Sequence, residues 1–226
     1  MIALFGNMTV GSTSLPPAAA FTLDLLLLFQ FPIVHTLMLR PAGRRFLASI
    51  FPGELGKHLV TTTFVIAASL QLLLLFSGWC HIGTFQWTPS GVLLMIWTSA
   101  YIASWGLLAM AMTNAGLGTQ MGYLGWTSVV RGKAPQYAAF PQHGLYKICR
   151  HPVYFAMALV SCTGPVWNLD HAIISIVFLT YCIFGPISKE RRLLATLGPE
   201  FREHMERIPF FPTPSSCWNA LRNALS

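Results

Sequence analysis

Between Gly144 and Tyr154 the chain reads Gly-Leu-Tyr-Lys-Ile-Cys-Arg-His-Pro-Val-Tyr. These residue types supply the parts of a cradle for a polar ligand. Pro152 can occupy the first turn of a helix without losing a hydrogen bond. A helix start also leaves backbone N–H groups unpaired and pointing away from the helix. His151 adds an adjustable donor or acceptor, and Tyr146 and Tyr154 put aromatic faces beside the helix entrance. Together these groups suit a carboxylate or a nucleotide-like ligand. Taken alone, the same segment also suits an aromatic belt at a membrane interface.

Asp24 and His35 stand inside an otherwise apolar run. Ionisable groups are expensive at such a position and point to function. Their spacing amounts to about 1100° of helical rotation, so they share a face to within roughly 20°, at about 16 Å along the axis. They are too far apart to bond each other. His35 is the titratable group at the depth where a proton could be taken from an acceptor, and interfacial hydrogen bonding is its other reading. Asp24 is read either as catalytic or as a structural bond to a neighbouring helix. Gly116, Gly118 and Gly122 approach a dinucleotide fingerprint, but the last spacing is wrong and no strand precedes them; the segment reads as a loop after a helix. The five cysteines show no CxxC spacing, so neither a metal site nor a disulfide framework is expected.

The elements that position these residues follow from composition. Of 226 residues, 54% are hydrophobic and 9% are charged, against about 25% charged in a soluble domain. Apolar runs near 18–39, 58–80, 91–113, 152–168 and 170–188 have the length of spans, and the last two form a hairpin turned at Asn168-Leu169-Asp170. Gly164-Pro165 is expected to end or kink the fourth run. In the third, Ser99 with Ala103 and Ala100 with Ser104 suit close helix packing. All 14 Lys and Arg residues fall between spans one and two, between spans three and four, or after span five. That is one side of a five-helix arrangement, as the positive-inside rule requires. The +7 charge is thus a topology signal, and nucleic-acid binding is not expected.

The fold class expected is all-α: a polytopic bundle of about five transmembrane helices with cytoplasmic C-terminal amphipathic helices. One domain is expected over 1–226, with an external segment (1–17), the bundle (18–188) and a cytoplasmic tail (189–226). In that tail Leu193, Leu197, Phe201 and Met205 form an apolar stripe. Two short helices are expected to meet at Gly198, a natural C-cap, and Pro199, a natural helix opener.

Gly144-x-Tyr146 followed by Arg150-His151-Pro152-x-Tyr154 resembles a signature of the isoprenylcysteine carboxyl methyltransferase superfamily. Glu190-Arg191, Leu197-Gly198-Pro199-Glu200-Phe201 and Pro209 resemble its second signature, and the likeness covers 137–212. The first half is similar to a narrower branch, the bacterial methanethiol S-methyltransferases. That likeness rests on Asp24, on His35-Thr36-Leu37-Met38-Leu39-Arg40-Pro41, on Trp79-x-His81-Ile82 and on Asn114. The resemblance implies S-adenosyl-L-methionine in a cytoplasmic pocket, with Phe140, Tyr146, His151, Pro152, Val153, Tyr154 and Glu190 as the matching cofactor positions and backbone near 138–141 at its border. No metal is implied. Lys189 departs from the pattern, which has an acidic residue there, and the segment after Asn114 is shorter than in the thiol branch.

A small thiol such as methanethiol is the acceptor expected from this resemblance. An isoprenylcysteine carboxylate or a lipid amine is the alternative, and a transporter or structural membrane protein is the third class. The expected location is a bacterial inner membrane with the N-terminus outside and the C-terminus cytoplasmic.

Overall fold

A computed structural model describes residues 15–81, 85–137 and 140–225. Most of the expected external segment, Ile82 and the backbone of 138–139 lie outside the described residues. Helix α1 (Pro17–Leu39) ends where the sequence requires. Proline disfavours helical backbone in the residue before it, and Arg40, which precedes Pro41, is extended at φ −71° and ψ 157°. Pro41 then opens α2 (Pro41–Ser49). Next come α3 (Gly53–Gly78), a two-residue strand β1 (Gln86–Trp87), α4 (Gly91–Asn114), α5 (Leu117–Gln120) and α6 (Tyr123–Val130). A 3-10 turn (Gly144–Lys147) leads to α7 (Pro152–Cys162), β2 (Trp167–Asn168), α8 (Leu169–Leu197), α9 (Pro199–Arg207) and α10 (Pro214–Leu225).

Helices α1, α3, α4 and α8, of 23, 26, 24 and 29 residues, are long and apolar enough to cross a bilayer. At about 1.5 Å per residue each exceeds the roughly 30 Å hydrocarbon core. Their outer faces are apolar: Leu26, Leu73, Val92 and Ile176 are 65%, 63%, 73% and 63% exposed. A surface of that kind belongs against lipid rather than water. The protein is therefore an integral membrane protein. The expected fourth run does not form a full spanning helix. α7 has 11 residues, about 16 Å of helix, and stops two residues short of Gly164-Pro165, which sit buried in non-helical backbone.

The chain divides into two compact units. The first holds α1, α2, α3, β1, α5, α6, β2 and the start of α8. In it α3 packs against α1, α2 and α6. Gln30 Nε2 donates to the Gln71 carbonyl at 3.0 Å, and Gln71 Nε2 donates to Gln30 Oε1 at 3.1 Å, which pins α1 to α3. Thr62 Oγ1 donates to the Gly122 carbonyl at 2.5 Å. The segment expected to be a loop after α4 is instead largely helical, as α5 and α6. β1 and β2 pair antiparallel, with Gln86 opposite Asn168 and Trp87 opposite Trp167. An all-α reading did not foresee this ladder. It joins two of the connections that carry no Lys or Arg, which places both on one side.

The second unit holds α4, α7, the 3-10 turn, the rest of α8, α9 and α10. Here α4 packs on α7, and Tyr101, Ser104, Leu108 and Ala111 are its buried residues. Thr163 Oγ1 donates to Ser104 Oγ at 3.2 Å. Of the small-residue pairs expected to pack, Ala100 and Ser104 lie inward whereas Ser99 and Ala103 are exposed. Ser175 Oγ donates to the Ser161 carbonyl at 2.6 Å, tying α7 to α8.

Gly198 takes φ +54° between α8 and α9, a left-handed conformation open to a residue without Cβ, and Pro199 opens α9 as expected. The first of the two expected tail helices is not separate. It is the end of α8, which continues beyond the length a bilayer needs and carries Lys189, Glu190 and Leu193 with it.

Candidate functional site

The second unit gathers its chemistry where the 3-10 turn, the start of α7, the end of α8 and α9 meet. Asn114, the last residue of α4, accepts the Leu145 N–H on Oδ1 at 2.9 Å. Gly144 makes this close approach feasible. Its φ is +57°, and a Cβ there would collide with the Asn114 carboxamide. Gly144→Ala therefore combines an unfavourable backbone with a displaced hydrogen bond, at about 2–4 kcal/mol. Thermal unfolding of the detergent-solubilised variant should register that loss, and Gly144→Ser should fare no better.

Glu190 is the centre of the site. His151 Nε2 lies 2.7 Å from Glu190 Oε1, and Arg150 Nε donates to the same oxygen at 2.7 Å. The Arg150 and Glu190 side chains are 10% and 9% exposed. Arg150 also straps down the tail: its Nη1 donates to the carbonyls of Met205 at 2.9 Å and Ile208 at 2.5 Å. Its backbone N–H reaches the Pro209 carbonyl at 2.9 Å, and its guanidinium lies over the Phe210 ring at 5.6 Å. Glu190 Oε2 receives no hydrogen bond among the described residues.

His151 is buried, and burial pushes its pKa down to about 4, against the opposing pull of Glu190 and with help from the Lys189 charge. The 2.7 Å contact alone would suggest a charged pair, but Arg150 already neutralises that carboxylate oxygen, and the neutral imidazole is the better reading. It donates through Nε2, which leaves Nδ1 as a buried acceptor with no partner among the described residues. The thiol of Cys149 is raised to about 11 by burial, so it is protonated and inert at neutral pH. Tyr146 is likewise pushed above the usual phenol range by burial.

The His151 shift has a direction in stability. Below about 6.5 the unfolded imidazole binds a proton that the folded one refuses until about 4. Stability should thus fall by on the order of 3 kcal/mol as pH drops through that window, and this loss is absent above it. Melting curves from pH 4 to 8 should show a flatter acid limb for His151→Gln than for the parent chain.

Phe140, Tyr146, His151, Lys189, Phe201 and His204 line a cavity of only about 10 Å³. Phe140 meets Phe201 edge-on, with ring centres 5.4 Å apart, and His204 at 4.9 Å. Burial lowers the His204 pKa, so this ring is also held toward its neutral form. The space equals about one water-sized sphere, and a cofactor-sized ligand requires these aromatic walls to part.

Relatives of known name cover most of the chain. It is 29% identical to "Methanethiol S-methyltransferase 2" of Bradyrhizobium diazoefficiens over 195 residues, 84% of this chain and 72% of that one. It is 27% identical to "Methanethiol S-methyltransferase 1" of the same organism, over 87% of this chain and 68% of that one. With "Methanethiol S-methyltransferase" of Pseudomonas deceptionensis it shares 24% over 90% of this chain and 78% of that one. The chain is a homologue of the methanethiol S-methyltransferases. No protein-family profile matches it, and no solved structure does.

Of the positions drawn from that likeness, Phe140, Tyr146 and His151 line the small cavity, and Glu190 bonds His151. Pro152 is the buried first residue of α7. The Tyr154 ring lies 5.9 Å from the His151 ring, edge-on. Val153 is half-buried on the same helix and is not among the cavity walls.

Asp24 and His35 belong to the first unit. Asp24 is buried, and its Oδ1 accepts the Cys80 N–H at 2.8 Å, so the structural bond has a partner just past the end of α3. His35 packs between Phe31 and Phe64, at 5.1 and 4.8 Å between ring centres.

Sequence reasoning overlooked the strapping role of Arg150 and the walls supplied by Phe201 and His204. It also overlooked a buried group in the first unit. There Asp170 accepts the Trp79 indole N–H at 3.1 Å and pairs with His81 Nδ1 at 2.9 Å. His171 Nδ1 lies 2.8 Å from the Val166 carbonyl, and its ring stacks on Trp167 at 4.5 Å.

Proposed function

We propose that this chain is a membrane methyltransferase that uses S-adenosyl-L-methionine to methylate a small thiol, methanethiol giving dimethyl sulfide. The observation that carries the reading is the likeness to methanethiol S-methyltransferases over 84–90% of the chain. The residues of the second unit fit such a donor in chemical type. The lone pair of His151 Nδ1 is a buried acceptor awaiting a donor. Glu190 Oε2 and the Lys189 ammonium suit the ammonium and carboxylate of an amino acid moiety. Phe140, Tyr146 and Phe201 offer aromatic faces to a cationic sulfonium. When bound, the donor supplies an electrophilic methyl group on that sulfonium.

The acceptor must react as a thiolate. Its sulfur pair would take the methyl group and the sulfonium would keep the old bonding pair, with Glu190 and Lys189 holding the donor's amino acid moiety. The thiol proton needs a base, and His35 is assigned that role. Asp24 supports the fold of α1 by holding the Cys80 N–H. Excluding water from the pocket strips hydration from the anionic sulfur.

The chain is assigned to an inner membrane, N-terminus outside and tail cytoplasmic. A fifth crossing is assigned to α7, about 16 Å long, together with the non-helical stretch 163–168 that follows it. Non-helical backbone at that depth needs internal partners, and His171 Nδ1 supplies one to the Val166 carbonyl.

The test is transfer from labelled S-adenosyl-L-methionine in detergent, with dimethyl sulfide measured in the headspace over methanethiol. The parent chain should produce it, and His35→Gln should lower kcat by about 100-fold or more near neutral pH. Full turnover by His35→Gln across pH 6–9 would remove the histidine from the proton transfer. Donor binding without any thiol product, together with turnover of a prenyl-cysteine carboxylate, would reassign the acceptor.

A further inference from the structure

The first unit contains a second and larger cavity, of about 210 Å³. It lies among the end of α1, α2, α3 and α5, with Met38, Arg44, Val60, Thr61, Phe64 and Gln120 in its walls. Most of its lining is apolar, and Arg44 contributes the one cation among the described residues. No carboxylate among the described residues pairs with Arg44, so its charge is available to an anion. Phe64, one of its walls, also packs edge-on against the His35 ring at 4.8 Å, and His35 precedes the wall residues Met38 and Leu39 by one helical turn. A titratable imidazole, an available guanidinium and an apolar chamber thus share one corner of this unit.

The volume decides what class of ligand the chamber suits. A dry cavity of about 150 Å³ holds benzene, and 210 Å³ is larger still. A one-carbon thiol would leave most of it empty. We propose that this cavity is a binding site for an apolar thiol, taken as its thiolate against Arg44, with room for a hydrocarbon group up to about the size of a benzene ring. The inference rests on the thiol-methyltransferase reading above and extends it from a one-carbon acceptor to larger hydrophobic ones. Guanidinium lowers the pKa of a neighbouring thiol and so raises the reactive fraction.

The experiment measures acceptor KM for straight-chain thiols of one to six carbons, and for benzenethiol, with the full chain in detergent and labelled S-adenosyl-L-methionine as donor. For the parent chain KM should fall roughly three- to fourfold for each added methylene group. Thr61→Phe places a ring in the chamber. It should raise KM for the six-carbon thiol about tenfold or more and abolish the downward trend, since six carbons no longer fit.

Arg44→Gln, at an exposed position, should raise KM for every thiol roughly fivefold while the chain-length trend survives, because only the charge is lost. Calorimetric binding of S-adenosyl-L-methionine by both variants reports that they are folded. An unchanged trend in Thr61→Phe together with unchanged KM in Arg44→Gln would mean that thiols merely partition into the micelle. The chamber would then belong to bilayer lipid, and the proposal would fall with thiol methylation intact. Donor binding with no thiol of any length methylated would instead overturn the enzymatic reading itself.

Discussion

Glu190→Ala is expected to lose about 3–5 kcal/mol of stability, because Arg150 is left as a buried charge without its counterion. For a chain of this size that corresponds to a fall of roughly 10 °C in thermal midpoint. The same variant should bind S-adenosyl-L-methionine at least 100-fold more weakly, since it also lacks the carboxylate assigned to the donor's ammonium. Glu190→Gln separates the two roles. The amide still accepts from Arg150 Nε and His151 Nε2, which meet at Oε1 at 2.7 Å each, so the stability cost should shrink to about 1–2 kcal/mol. The charge is gone, so donor affinity should stay as poor as in the alanine variant. Calorimetry and melting curves on the same preparations give both readings. If Glu190→Gln bound the donor as tightly as the parent chain, Glu190 would be only the anchor for Arg150.

Much of the fold is written locally. Four runs that are long and apolar form helices long enough to span, because lipid demands an unbroken apolar stretch and internal backbone bonding, though α8 runs on to Leu197 rather than ending near 188. Arg40-Pro41 and Gly198-Pro199 mark helix boundaries through covalent geometry, which needs no knowledge of tertiary structure. The fourth run is apolar throughout, yet its backbone is not helical past Cys162, just ahead of Gly164-Pro165, where an end or a kink was expected. Composition reports solubility in lipid, and Gly164-Pro165 decides conformation.

The site was legible in part for a related reason. Arg150, His151 and Tyr154 stand close together in sequence, so their types can be read as a group. Glu190 was reached by resemblance alone, 40 residues from Arg150. The strap from Arg150 to Met205 and Ile208 runs across 55 and 58 residues. No periodicity carries that information, and nothing in the sequence places a chamber between Arg44, Thr61 and Gln120. Asp170 was read as a turn residue because Asn168-Leu169-Asp170 has turn chemistry. Its partners Trp79 and His81 stand on another loop, and their meeting is a tertiary event.

Asp170 carries the second large prediction. It is fully buried at the start of α8, and it receives the Trp79 indole at 3.1 Å and His81 at 2.9 Å. Nearby, Asn168 Oδ1 accepts the His171 N–H at 2.8 Å and caps the same helix start. Asp170→Leu would leave an indole N–H and an imidazole facing an apolar side chain, each costing about 1–3 kcal/mol. The expected total is about 3–5 kcal/mol, read as a fall of roughly 10 °C in thermal midpoint. Asp170→Asn keeps one acceptor oxygen, and its expected cost is about 1–2 kcal/mol.

Because Asp170 stands at the opposite end of α8 from Glu190, the folded fraction of Asp170→Leu should still bind S-adenosyl-L-methionine with the affinity of the parent chain. Stability lost with donor affinity kept marks Asp170 as the fastener of the connections that carry no Lys or Arg. Donor affinity lost in a variant that still melts cooperatively would give Asp170 a part in the ligand site and contradict that assignment.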